Sequence, residues 1–336
     1  MNPIKRITFV IPCYNEFKVI NELYRRIKKI TEELCDYEFE LIFINDGSSD
    51  GTTELLNLLA EQDSSVKVLH FAKNFGHQIA ITAGIDYASG DVIVTIDADL
   101  QDPPELVKDM LLKIQEGYQV VHAQRRSRLG ETKFKLITAW LFYQIMHKFL
   151  AKDLVKNCGD FRAFTRSVAK AAQSFREPHR FMRGIFAVIG FRQCVIQYDR
   201  DARYAGKTKY SLNSMIRLAS NAILSFSSAP IKAINWLSFT LWGISFFYLI
   251  KSLINHFVFH ETVQGWTSIV ILLFFFSGLN IFILSVIGSY IGRIFEQGKR
   301  RPLYWLYSMK NVNVEDIKES HIDVDEMKVS NNIIRY

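Results

Sequence analysis

No G-x-G-x-x-G follows any strand-like run in this chain, which argues against a nicotinamide or flavin enzyme. A phosphate loop is missing too. "GKT" at Gly206 to Thr208 ends like one, but the first glycine would have to fall at position 201, which is Asp201. Cysteine is sparse: Cys13, Cys35, Cys158 and Cys194 make no C-x-x-C pair, so neither a disulfide framework nor a zinc site is expected, and reduced thiols fit a cytosolic domain. "ITFVIP" is too short for the apolar region of a signal peptide and runs straight into Pro12 and Glu16, so no such peptide is expected. Internal repeats are absent as well.

What is present divides sharply. Residues 1 to about 230 have the composition of a charged α/β chain, whereas roughly 231 to 291 is close to pure membrane composition. Trp266 to Ile291 carries no charge, and Ala233 to Ile250 is a second uncharged run that extends to Phe259 if Lys251 snorkels. Arg217 and Lys232 precede the first run, Arg293, Lys299, Arg300 and Arg301 follow the second, and the loop between them is poor in Lys and Arg. Two spans with both termini on the cytoplasmic side of the inner membrane are the expectation. The net charge of +7 then points to anionic lipid, not to nucleic acid.

The first 125 residues alternate β-rich runs with helical patterns, the signature of an α/β domain with a mostly parallel sheet. Strands are predicted at 7–11, 38–44, 66–71, 91–96 and 119–123. Between the first two, Val19, Ile20, Leu23, Ile27, Ile30 and Leu34 recur at helical spacing. Helices are also expected at "KLITAWLFYQIMHKFL" and, lying along the membrane surface, from Tyr210 to Lys232. The expected organisation is a catalytic domain over 1–210, an amphipathic helix over 211–230, two membrane helices over 231–292 and a tail over 293–336. Ligands of open parallel sheets bind beyond the carboxyl ends of the strands. Three polar motifs sit at such ends: "PCYNE", "NDGSSDGT" and "DADLQDPPE".

The last of these crowds Asp97, Asp99, Asp102 and Glu105 behind an apolar strand. A solvated acidic turn opening a helix explains Asp102 and Glu105, with Pro103 and Pro104 at the helix start, but not Asp97 and Asp99. An EF-hand fails, because Asp102 stands where Gly is needed and Lys108 where Glu is needed. A glycosidase carboxylate pair needs a separation that sequence does not give. A D-x-D site for a nucleotide diphosphate accounts for the spacing: Mg²⁺ or Mn²⁺ takes a few carboxylate oxygens and completes its shell with phosphate oxygens and water.

Taken as a set, "VIPCYNE", "INDGSSDGT", "KNFGHQIAITAGIDYASGD", "DADLQDPPE", "CGDFRAFTR", "RFMRGIFAVIGF", "RYAGKTKYSL", "SFSSAPIK" and "IGRIFEQGKRRPLY" resemble the inverting GT-A-type glycosyltransferases of family 2. Within these, the likeness is to the polyprenyl-phosphate glycosyltransferases, such as dolichyl-phosphate mannose synthase and the bacterial undecaprenyl-phosphate glucosyltransferases. The resemblance implies that Pro12, Tyr14, Glu16, Asp46 and Lys73 hold the nucleotide. Asp97 would sit by the nucleotide and metal, and Asp99 with Gln101 would bind the metal. Arg126, Arg128, Arg203 and Lys209 would be cations for the donor and acceptor phosphates. Asp160 would face the acceptor as a base, as an orienting group, or merely as the cap of a turn after Gly159. Lys73 stands where many relatives have Arg, and Lys207 where an acidic residue is common.

The implied reaction moves a sugar, glucose from UDP-glucose first among the candidates, onto undecaprenyl or another polyprenyl phosphate. UDP-GlcNAc, UDP-galactose, an aminosugar donor and GDP-mannose are alternatives. Relatives further imply a homo-oligomer, a tetramer, and a small membrane flippase as a possible partner. A processive polysaccharide synthase would need a Q-x-x-R-W motif and more helices. A non-catalytic sensor would be expected to have lost Asp99 or Asp160.

Overall fold

The computed structural model describes residues 4–126, 158–199, scattered positions between 234 and 254, and 265–312. Two units divide the chain: one of residues 1–147, 151–212 and 302–336, the other of 148–150 and 213–301.

The first unit is built on a mixed sheet. Its strands are β1 (Arg6–Cys13), β2 (Glu38–Asn45), β3 (Val66–Phe71), β4 (Val92–Thr95), β5 (Val120–Arg125), β6 (Cys158–Thr165), β7 (Gln193–Tyr198) and β8 (Leu306–Lys310), in the order β7-β5-β6-β4-β1-β2-β3-β8. The four strands β4, β1, β2 and β3 are mutually parallel. Between them run α1 (Ile20–Glu33), α2 (Thr52–Gln62) and α3 (His77–Tyr87) as crossovers. A short 3₁₀ turn (Pro104–Leu106) leads into α4 (Val107–Gln115), and α5 (Arg166–Gln173) and α6 (Met182–Ile189) lie between β6 and β7. All five predicted strands are present within two residues at each end.

Physical chemistry explains why these segments form. The central strands are continuous apolar runs such as "LIFI", as expected where both faces are covered. On α1, Ile20, Leu23, Ile27 and Ile30 form one buried stripe, as the spacing predicts, each worth roughly 1.5–3 kcal/mol in burial. By contrast α3 is buried on nearly every side from Ala80 to Tyr87. It can lie this close only because residue 84 is glycine: a Cβ there would stand 2.2 Å from Val10 Cγ1.

Three strands escape sequence reading. Because β6 runs antiparallel to β4, pairing Thr95 with Arg162, its beginning lies at the carboxyl edge of the parallel strands. "CGDFR" is therefore strand, which overturns the reading of Asp160 as a turn cap. Strand β8, antiparallel to β3, brings chain from the expected C-terminal tail into the sheet of the first unit.

In the second unit, α7 (Trp266–Gly298) contains a stretch, Phe275–Gly298, of mean hydropathy 1.7 that is long and apolar enough to cross a membrane. The described positions between 234 and 254 are helical, and most of them, Trp236, Phe239, Ile244 and Phe247 included, are exposed. The helices expected at 135–150 and 210–232 lie outside the described residues.

Candidate active site

At the carboxyl edge of the sheet the first two motifs bind each other. Asn15, at φ 53°, receives a hydrogen bond on its side chain from the Ser49 N–H (2.8 Å) and donates its own N–H to Ser48 Oγ (3.0 Å). Glu16 N–H donates to Thr52 Oγ1 (3.0 Å). Pro12 is buried in β1 and Tyr14 is exposed beyond it. Pro12 has no N–H to give, and it lies past the last β1–β4 pair, Val10 with Thr95. From there β4 leaves the ladder and carries Asp97 and Asp99 outward.

Asp46 works mainly on backbone. Its buried carboxylate accepts the N–H of Phe75 (2.7 Å) and of Gly76 (3.0 Å), fixing the loop before α3. Burial pushes its carboxyl up from the usual range, against the pull of those two amides. Gly47, at φ 69°, is obligatory for this contact, since a Cβ would stand 2.7 Å from Asn74 N. Lys73, exposed in this loop, lies 5.2 Å from the Phe75 ring centroid.

His77, the first residue of α3, joins Asp97 to Asp160. Its Nε2 is 3.4 Å from Asp97 Oδ1 and 3.2 Å from Asp160 Oδ2. Burial opposes its charge, yet Asp97 and Asp160 overcome it and lift the imidazole to about 9, so it is a cation at neutral pH. Asp160 also accepts Gln78 Nε2 (3.1 Å), Arg162 Nη2 (3.3 Å) and Arg183 Nε (3.3 Å). Burial alone would raise its carboxyl, but Arg183, His77 and Arg162 hold it well below the usual range. A carboxylate so stabilised is a poor proton acceptor and a good fixed negative charge.

Asp97 is the opposite case. Burial raises its carboxyl to about 6 against the pull of His77, with Asp102, Asp160 and Asp99 pushing the same way. Its Oδ1 is buried without a hydrogen-bond donor among the described residues. Asp99 accepts the Gln101 N–H (3.2 Å), and between them Leu100 is held at φ 58°, a strained backbone for a bulky side chain. A buried carboxylate oxygen with no hydrogen bond, and with only the His77 ring near it at 3.4 Å, two residues before a second carboxylate fits a divalent cation. Among the described residues no three His, Cys, Asp or Glu side chains converge as a complete ligand set, so phosphate and water would supply the remainder.

Asp102 is not the solvated helix-opening residue that the sequence suggests. It is fully buried, accepts the Tyr198 hydroxyl, and lies 3.5 Å from Arg125 Nη2. Glu105 keeps the surface role, paired with Arg26. Arg126 lies at the same edge after β5, its backbone N–H on Tyr198 O (2.9 Å) and its exposed guanidinium 3.3 Å from Asp199. Arg128, Arg203 and Lys209 fall outside the described residues. Sequence reading gave no role to His77, Gln78, Arg125, Arg162, Arg183 or Tyr198. Four of these lie inside the motifs "KNFGHQ", "CGDFR" and "RFMRGIF", which was the only available signal.

Comparison with known proteins follows the same outline. The model of glycosyl transferase family 2 matches residues 8–172. YkcC of Bacillus subtilis (strain 168), an uncharacterized glycosyltransferase, is 43% identical over 297 residues, spanning 88% of this chain and 92% of its own length. The bactoprenol glucosyl transferase of Shigella phage SfV is 36% identical over 305 residues, 91% of this chain and 99% of that protein. A solved structure of glucosyl-3-phosphoglycerate synthase from Mycobacterium tuberculosis, with Mn²⁺, uridine-diphosphate-glucose and phosphoglyceric acid, covers 66% of this chain and 78% of its own, at 19% identity and a TM-score of 0.44. With relatives this similar over nearly their full length, the chain belongs to glycosyl transferase family 2.

Proposed function

We propose that this protein transfers glucose from UDP-glucose to a polyprenyl phosphate, with inversion, at the cytoplasmic face of a membrane. The observation that carries the reading is the pairing of Asp97, whose buried oxygen lacks a donor, with Asp160, held ionised by two arginines and His77 at one strand edge. The names of relatives such as the phage SfV protein support the sugar and the lipid.

Asp97, Asp99 and Gln101 would hold Mg²⁺ or Mn²⁺, which when bound supplies Lewis-acid stabilisation of the departing diphosphate. Pro12, Tyr14, Glu16, Asp46 and Lys73 would hold the nucleotide, and Arg126, Arg128, Arg203 and Lys209 would share the phosphate charges. A phosphate monoester with a second pKa of roughly 6 is already nucleophilic at cytosolic pH, so a strong base is unnecessary. This suits Asp160, which can orient the acceptor or oppose positive charge at the anomeric carbon. Attack opposite the leaving group turns an α-linked donor into a β-linked lipid phosphate sugar. Helix α7 and the apolar run before it serve as two membrane spans, with both termini cytoplasmic.

Purified full-length protein, incubated with Mn²⁺ or Mg²⁺, undecaprenyl phosphate and a panel of labelled nucleotide sugars, should label the lipid from UDP-glucose. Asp99→Asn should lower that rate by about a hundredfold or more. Labelling from a different donor would overturn the sugar, and no labelled lipid from any donor would overturn the reaction.

A further inference from the structure

A few residues after α7 the chain re-enters the catalytic unit, and one side chain there grips both ends of the segment that carries His77. The Tyr304 ring stacks on Phe71 at the end of β3, with centroids 5.3 Å apart and planes 19° apart, and Phe71 in turn meets Phe75 edge-on at 5.4 Å. Trp305 O accepts the Ala72 N–H (3.0 Å), so the first residue after β3 is tied to the same strap. At the other end the Tyr304 hydroxyl donates to Asp86 Oδ2 (3.0 Å) in the last turn of α3. Asp86 is buried, and a negative charge there opposes the helix dipole. Arg176 offsets this with two hydrogen bonds of 2.8 and 2.9 Å.

Between Phe71 and Asp86 lie Lys73, the Phe75 and Gly76 amides held by Asp46, and His77 with its two carboxylate partners. Among the described residues Tyr304 contacts Asp86 and Phe71 and makes no hydrogen bond to Asp97, Asp99 or Asp160. We propose that Tyr304 is a positioning residue for the transfer reaction: by holding Phe71 and Asp86 together it sets the loop and helix that present His77 to Asp97 and Asp160. Tyr304, just before β8, thereby serves the site from a segment that follows the apolar helix in sequence. This rests on the transferase reading above.

Packing of this kind transmits sub-ångström displacement, and small misplacement of a charged group in a preorganised site lowers turnover more than binding. Tyr304→Phe removes one oxygen and keeps the ring, so it is expected to fold. In full-length protein with UDP-glucose and undecaprenyl phosphate, it should lower kcat about tenfold while KM for UDP-glucose stays within about twofold. Tyr307→Phe, on the exposed side of β8, is the control and should change neither. Hydrogen exchange of the 72–87 segment should quicken in Tyr304→Phe and not in Tyr307→Phe. Unchanged kcat in Tyr304→Phe, or a raised KM with kcat intact, would overturn the proposal while leaving the transferase standing. Absence of labelled lipid from the wild-type protein would sink both.

Discussion

Two carboxylates of the first unit, one buried and one partly exposed, show the difference between a group completed by the fold and one the fold leaves open. Glu40, in β2, is 4% exposed and saturated: it accepts the Thr8 hydroxyl, the Ser89 N–H and hydroxyl (both 2.9 Å), and pairs with Lys67 at 2.7 Å. Asp97, just past β4, has His77 as a charge neighbour and one buried oxygen without a donor. Folding completes the first and leaves the second incomplete, in a site where four carboxylates and a strained Leu100 are crowded together. A buried carboxylate oxygen left without a hydrogen bond costs about 1–3 kcal/mol, and its persistence beside the His77 cation fits a site that takes a ligand.

The comparison can be broken from either side. His77→Ala takes away the cation shared by Asp97 and Asp160, and lipid labelling should fall about tenfold to a hundredfold with little change in melting temperature. A large loss of stability instead would make His77 a structural residue like Glu40. Glu40→Gln should do the reverse: about 2 kcal/mol less stable in denaturant unfolding, because Lys67 loses its counter-charge, with transfer per folded molecule unchanged.

A smaller effect concerns His122 in β5, which burial, with Arg162 adding to it, lowers to about 4. Its folded value lies below the unfolded one, so the unfolded chain takes up the proton first as pH falls. The contribution is complete above about pH 6.5 and is lost between there and about pH 4. Between pH 7 and about pH 5.5 the wild-type protein should lose about 1 kcal/mol relative to His122→Asn. Equal slopes for the two proteins would show that His122 is not neutral in the fold.

Much of the sheet was legible because β1 to β5 are apolar runs separated by helical spacing, and their polar motifs fall at strand ends. Strand β6 was hidden by its own chemistry: "CGDFR" looks like a polar loop until Asp160 is paired with Arg162 and Arg183. Strand β8 is short and separated from its partner by a long apolar helix, so no local signal reveals it. The site was legible as residue types but not as contacts. His77 is an ordinary helix-start residue in sequence, and its meeting with Asp160 spans 83 positions. Asp46 shows the converse, a motif residue whose carboxylate serves loop amides.

The central claim is that Asp97 and Asp99 form a carboxylate edge completed by a metal and a diphosphate. Its most direct test is a Mn²⁺ titration of the full-length protein, followed by electron paramagnetic resonance, with and without UDP. Tight Mn²⁺ binding should require UDP and should be lost in Asp99→Asn while UDP-free background binding is unchanged. Binding that is indifferent to UDP, or that survives in Asp99→Asn, would contradict the account.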